Sequence, residues 1–296
     1  MLKNKKKFLM SMVLSFVLMS SSVPALAATT TEQDKNANQQ ITTEYCDNLK
    51  DLNEQLVMGV AWMQSSAEYR ALCYQAYNTG QIIVDQESSK FKQGDKPLAI
   101  ITDCDEAVID NNEYEAGLIG ENRAFSDETW GQWVNHADAK AMPGAKEFLN
   151  YANNKGVEIF YVTGRKEKTE LDGTMKNLQK LGYPCVDQKH MRLKTDSSNK
   201  QPRMDEIVKD YNVIIYMGDD AGDFPINSYG KDVKDRNQLV DVNKNNFGAH
   251  FIILPNPVYG HWESALDKDY FKLSPAEKDK VRKSYLKTWT PSDTNK

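Results

Sequence analysis

LAIITDCDE, residues 98–106, passes from an uncharged stretch into three acids within four positions. Its apolar part is short, β-branched and preceded by Pro97. Runs this continuously apolar suit strands buried on both faces, as in parallel sheets. Three comparable runs follow it: VEIFYVTG at 157–164, NVIIYMGD at 212–219 and HFIILPN at 250–256. Helical segments separate them. Pro143 and Gly156 bracket AKEFLNYANNK (145–155), residues 167–181 end at Gly182, and residues 201–211 stop just before the third run. This alternation predicts an α/β fold, a doubly wound parallel sheet with right-handed crossovers, whose ligands sit at the carboxyl ends of the strands.

Working outward, residues 43–91 carry Leu52, Leu56, Met63 and Leu72 among helix-compatible neighbours and read as an N-terminal helical part. At the other end, Ser274-Pro275-Ala276-Glu277 is a capping box that predicts a last helix over 275–288. The expected organisation is one domain over 43–290. It comprises the helical part 43–91, an α/β core over 96–260 with a cap insertion near 112–142, and a C-terminal helical part 261–290. These helical pieces form a second, smaller layer. Ahead of them, Lys3, Lys5, Lys6 and Lys7, an apolar run from Phe8 to Met19 and Ala25-Leu26-Ala27 read as a signal peptide over 1–27. Residues 28–42 read as a flexible leader. Cleavage would remove four lysines and no acids, taking the formal charge from −5 to −9. So acidic a chain is a poor binder of nucleic acid polymers or anionic membranes, and its apolar N-terminal run is short for a span. With no cysteine near the cleavage point there is no lipid anchor, so the expected location is secreted or wall-associated, without stable membrane insertion. Cys46, Cys73, Cys104 and Cys185 are scattered and form no CxxC pair.

Three of the apolar runs end in polar clusters. In an extended chain Asp103 and Asp105 face one way and Cys104 the other, into the core. Two carboxylates so close require a proton or a cation between them. The second run ends in Thr163-Gly164-Arg165, and the third in Gly218-Asp219-Asp220-Ala221-Gly222-Asp223. Clustered hard oxygen ligands suit Mg²⁺. Phosphoryl transfer needs these parts: an oxygen nucleophile (Asp103), an acid/base (Asp105), a metal, and fixed donors for phosphate such as Thr163 and Lys200. Lys194 competes with Lys200, but Lys200 opens a helix. Arg165 reads as a surface ion-pair residue. His136, His190, His250 and His261 lack zinc-ligand spacing; His261, close to Tyr259, is a candidate substrate contact, while Trp62 and Trp262 read as packing residues.

The ordered set DxDE, TGR, a lone lysine and GDxxxDF resembles the haloacid-dehalogenase (HAD) superfamily of phosphohydrolases, and within it the class C, lipoprotein e(P4)-like acid phosphatases and 5′-nucleotidases. IITDCDEAVIDNNEY (100–114) and IIYMGDDAGDF (214–224) are similar to the family's first and last motifs. VAWMQSSAEYRALCYQAYN (60–78), TWGQWV (129–134), LPNPVYGHWE (254–263) and LDKDYF (266–271) extend the likeness over roughly residues 50–290. The resemblance implies Asp103 as nucleophile and Asp105 as acid/base. It implies Asp103, the carbonyl of Asp105 and Asp219 as ligands of one Mg²⁺, with Asp223 orienting the metal shell. Thr163, Gly164 and Lys200 would bind phosphate, and Trp130 and Tyr259 would sandwich a nucleobase. It departs at Ala107, where a Thr is usual near the phosphate loop, and at Asp220, where an Asn is usual.

The expected activity is therefore a secreted, metal-dependent phosphomonoesterase acting on nucleoside 5′-monophosphates through an aspartyl-phosphate, with homodimerisation left open. Two alternatives stand beside it: an acid phosphatase without base preference, and a surface binding protein on the same fold.

Overall fold

A computed structural model of the chain describes residues 46–289 and Pro291; the expected signal peptide (1–27) and leader (28–42) lie outside the described residues. The strands are β1 (Leu98–Thr102), β2 (Ile109–Asp110), β3 (Lys140–Ala141), β4 (Glu158–Lys166), β5 (Met191–Lys194), β6 (Asn212–Gly218) and β7 (Phe251–Ile253). Five of them make one sheet in the order β5-β4-β1-β6-β7, every pairing parallel. The chain leaves the central β1 toward one edge and returns on its other side. The strand order therefore reverses at β1, where an open α/β sheet forms its crevice. The fold is the expected α/β class.

Each β1 side chain is buried, and the two faces divide as strand alternation requires. Leu98 and Ile100 join the large core that includes Tyr69, Tyr77, Phe148 and Leu178 from the helices Ala67–Lys90, Ala145–Asn154 and Glu167–Leu181. Ala99 and Ile101 join a smaller one with Met204 and Ile207 of the helix Gln201–Asp210. Cys104 is fully buried in the large core, as the alternation predicts, and burial pushes its thiol far above the ordinary range.

β2 and β3 form a separate antiparallel pair at the neck of the segment that carries the helices Asn112–Ala116 and Asp127–His136. The second of these helices begins at Ser126, whose hydroxyl caps the Thr129 N–H. It crosses the helix Glu167–Leu181 at Gly173, where an added Cβ would meet Val134 O at 2.7 Å and Asn135 Oδ1 at 2.6 Å. That near approach of backbones holds Trp130 over the end of β4.

The last helix, Pro275–Ser284, stops four residues short of the expected 275–288. The apolar residues beyond it, Leu286 and Trp289, are exposed and give a longer helix no face to bury. Asp279 clasps the two ends of the fold: its carboxylate accepts from Cys46 N at 3.0 Å, Gln55 Nε2 at 2.7 Å and Lys283 Nζ at 2.8 Å. Among the described residues no helix is long and apolar enough to cross a membrane.

Candidate active site

Strand ends deliver the acids. β1 runs into Asp103, whose N–H donates to Met217 O of β6 at 2.9 Å, so the ends of the two strands are locked side by side. β6 ends at Gly218, and Asp219 follows. The turn Asp220–Asp223 is a reciprocal capping box: Asp220 Oδ1 accepts from Gly222 N and Asp223 Oδ2 from Asp220 N. This turn folds Asp223 back over Gly218, where even a Cβ would lie 2.1 Å from Asp223 Oδ2. Asp103, Asp219 and Asp223 thereby bring carboxylate oxygens within 4.8 Å of one another.

One cation is built into this group. Lys200 Nζ stands 2.7 Å from Asp103 Oδ1 and 2.6 Å from Asp223 Oδ1, and all three groups are buried. Burial alone would lower the lysine pKa, but Asp103 and Asp223 outweigh it and hold the ammonium charged. Three carboxylates against one lysine still leave two negative charges in a desolvated site. Burial, partly opposed by Lys200 and reinforced by Asp223, pushes Asp103 up to about 7. Burial and the charges of Asp223 and Asp103 push Asp219 well above the usual carboxylate range. Asp103 Oδ1 is also buried without a well-aligned donor, because the nearby ammonium is close but off hydrogen-bond geometry. A hard divalent cation fits this donor set: its charge matches the excess and its preferred ligands are carboxylate oxygens.

Asp105 lies outside the carboxylate triangle and is fixed by a different set. Arg165 donates to its Oδ1 from Nε at 2.9 Å and from Nη2 at 2.7 Å, Asn111 Nδ2 donates at 2.9 Å, and Thr163 Oγ1 donates to Oδ2 at 3.3 Å. Arg165 is not the surface residue expected: it is 1% exposed, and Asp105, separated from it by 60 residues, draws it inward. Thr163 is fully buried and turned toward Asp105 and the Arg165 N–H, beneath the cleft, whereas Gly164 and Arg165 reach the cleft wall.

These groups open into one cleft of about 740 Å³ lined by Asp103, Asp105, Lys200, Asp219 and Asp223 together with Trp130 and Tyr259. Lys194 does not line it. Trp130 packs edge-on against Tyr114 at 5.2 Å, and the Arg165 guanidinium lies 5.7 Å from its ring centre. Tyr259 donates its hydroxyl to Glu106, a buried carboxyl that burial, Asp105 and Asp219 hold well above its ordinary pKa. His261 lines the cleft too, with its N–H on Asp220 Oδ2 at 3.0 Å. Trp62 packs on Tyr69, as expected of a packing residue, while Trp262 is exposed.

Both departures from the family pattern have a structural setting. Ala107 is buried outside the cleft with its carbonyl on Tyr77 Oη at 2.5 Å, so a hydroxyl is not missing from the cleft wall there. Burial would raise Asp220, but hydrogen bonding and charge from His261, with the charge of Arg236, hold it far below the usual range. Its extra charge is answered in part by Arg236, 3.2 Å away, yet it still pushes Asp223 and Asp219 upward.

Three contributors, Asn111, Asn256 and Glu115, have no sequence signal of their own, and Glu106 is legible only as the last acid of DxDE. Asn111 joins Asp105, Trp133 and Arg165; Asn256 donates to Asp219 Oδ2 at 2.8 Å; Glu106 anchors Tyr259; Glu115 sits on the cleft wall.

Residues 19–262 match the family described as HAD superfamily, subfamily IIIB (acid phosphatase). The chain is also similar to the class C acid phosphatase from Bacillus anthracis, at 41% identity over 81% of this chain and 99% of that one, with a TM-score of 0.76. A second structure of that enzyme, with tungstate bound, matches with the same figures.

Proposed function

Since the chain belongs to the subfamily IIIB acid phosphatases of the HAD superfamily, and is thus a phosphoric monoester hydrolase, we propose that it is a secreted, Mg²⁺-dependent phosphatase of nucleoside 5′-monophosphates with Asp103 as nucleophile. The observation that carries this reading is the group at the reversal of strand order, where Asp103, Asp219 and Asp223 converge around Lys200.

A carboxylate oxygen of Asp103 attacks phosphorus as the ester P–O bond breaks, giving an aspartyl-phosphate. Asp105 gives its proton to the departing alkoxide. It then takes a proton from the water that attacks the same phosphorus and frees Asp103 and inorganic phosphate. The bidentate hold of Arg165, with Asn111 as a third donor, keeps Asp105 aimed through both half-reactions. Lys200 offsets the charge of the phosphoryl oxygens. Asp103, the Asp105 carbonyl and Asp219 would ligate Mg²⁺, with Asp223 orienting the set; when bound, the ion lowers the repulsion between anionic nucleophile and anionic substrate. Trp130 and Tyr259 supply the flat faces that favour a nucleobase.

The decisive experiment is hydrolysis of p-nitrophenyl phosphate with and without EDTA, alongside Asp103→Asn. Chelation should stop turnover, Mg²⁺ should restore it, and the variant should retain less than about a hundredth of the rate. Full activity in EDTA, or an active Asp103→Asn, would end the proposed mechanism.

A further inference from the structure

Beyond the carboxylates and the aromatic pair, the cleft continues along a wall of Leu52, Leu56, Leu118, Phe125 and Val258. Set into this apolar end is Glu115, from the short helix Asn112–Ala116. It is 7% exposed and its carboxyl makes no hydrogen bond among the described residues. Two of the other polar groups nearby, Glu263 and Arg282, are committed to each other. Glu263 accepts from Arg282 Nη2 at 2.9 Å and from Tyr270 Oη at 3.1 Å. Arg282 further donates to Gln55 Oε1 at 2.8 Å and to Tyr270 Oη at 2.5 Å. Lys278 lies over the Tyr270 ring at 5.5 Å and pairs with no carboxylate among the described residues.

A largely buried carboxyl with no protein partner, its oxygens reaching only the cleft, is poorly hydrated, and a bound donor would offset part of that cost. Burial first, then Glu263, raises Glu115 to about 7, as expected of a group waiting in apolar surroundings. Whatever its protonation state, a carboxyl offers at least one oxygen acceptor. A ring gripped on its two faces presents only its edge to the side wall, and among ring substituents an exocyclic amine is the donor that matches an acceptor.

We propose that Glu115 is a specificity-determining residue that accepts a hydrogen bond from an exocyclic amino group on the substrate's ring. The inference rests on the nucleotidase reading and deepens it: the cleft selects amino-bearing bases as well as flat ones.

The test compares kcat/KM for adenosine 5′-monophosphate with that for purine riboside 5′-monophosphate, which lacks only the amine, in wild type, Glu115→Leu and Glu115→Gln. Wild type should favour the amine about 5- to 20-fold, the range of one hydrogen bond to a buried acceptor. Leucine fills the apolar wall but accepts nothing, so the ratio should fall to near one. Glutamine keeps a carbonyl acceptor and should keep most of the preference. A ratio unchanged in Glu115→Leu overturns the proposal. So does a loss that instead tracks adenosine against 2′-deoxyadenosine 5′-monophosphate, which would place the carboxyl on the sugar. Wild-type turnover of glycerol phosphate is the control for the underlying reading. If it equals that of adenosine 5′-monophosphate, the nucleotidase assignment itself fails; if nucleotides are preferred but the amine ratio is flat, only the role of Glu115 fails.

Discussion

Gly218→Ala probes how the proposed metal-binding group is assembled. Gly218 does not have a left-handed φ, so alanine brings no backbone strain and the effect isolates a contact. The new methyl would lie 2.1 Å from Asp223 Oδ2 and 2.3 Å from its Cγ, where ordinary contact begins at 3.4 Å. The carboxyl must therefore retreat by about 1.3 Å (3.4 less 2.1). That exceeds the slack in either bond holding it, the one from Lys200 Nζ at 2.6 Å and the one from Asp220 N at 2.9 Å. A displacement near 1 Å in a positioned group costs about 100-fold in turnover, and loss of an orienting carboxylate weakens metal affinity by roughly 10- to 100-fold. Overpacking adds about 1–3 kcal/mol of destabilisation, a drop of several degrees in Tm for a domain of this size. The assay is p-nitrophenyl phosphate turnover against a Mg²⁺ titration, read beside a thermal melt. If turnover and half-saturating Mg²⁺ stay within twofold of wild type while Tm falls, Asp223 has moved without consequence and its place in the metal-binding group is wrong.

Asp105→Asn should slow esters with poor leaving groups far more than p-nitrophenyl phosphate, whose leaving group needs little protonation; equal losses on both would reduce Asp105 to a positional role. Trp130→Ala and Tyr259→Ala should raise KM for adenosine 5′-monophosphate roughly 5- to 100-fold, from ~1–3 kcal/mol of stacking, and barely change glycerol phosphate. Tyr259→Phe keeps the ring and loses only the hydroxyl to Glu106, so its KM should stay near wild type; a KM as high as that of the alanine variant refutes stacking. Glu115 carries a pH signature. Its pKa is raised from 4.5 to about 7, so across that window the native state holds a proton that the unfolded chain has released, and stability falls as pH rises. The loss is roughly 3 kcal/mol at most, and Glu115→Gln should remove it. The Tm advantage of the variant over wild type should thus grow between pH 5 and pH 8, and an equal difference at both pH values contradicts the assignment.

Sequence reading reached the parts of this protein whose physics is local. β1, β4, β6 and β7 announce themselves because strands buried on both faces must be continuously apolar. β5 escaped, because MRLK is an edge strand in which buried Met191 and Leu193 alternate with half-buried Arg192 and Lys194. The acids of DxD and GDxxxD were legible since each cluster ends an apolar run. Asn111 and Asn256 were not, because an amide in a loop has no periodicity and its role depends on a carboxylate brought to it by the fold. Arg165 was misplaced for the converse reason. Guanidinium groups are usually exposed, and only pairing with the half-buried Asp105 carboxylate makes the interior favourable. Glu115 gave no signal at all, a single acid on a five-residue helix whose surroundings come from residues near 52, 125 and 258.

The clasp at Asp279 ties cooperativity to the cleft. Its bonds to Cys46 and Gln55 bridge 233 and 224 positions, so they carry the full entropy of closing the chain and form only once the sheet is in place. Cys46 and Gln55 flank the short helix Leu49–Asn53, and Asp279 lies in Pro275–Ser284, so the clasp joins two short helical pieces. Because the clasp couples them, the two pieces should exchange their amide hydrogens together. Leu49 and Leu52 of the first piece and Lys278 and Arg282 of the second also line the far end of the cleft. The far end of the cleft is thus walled by two segments distant in sequence that meet only when the sheet has formed.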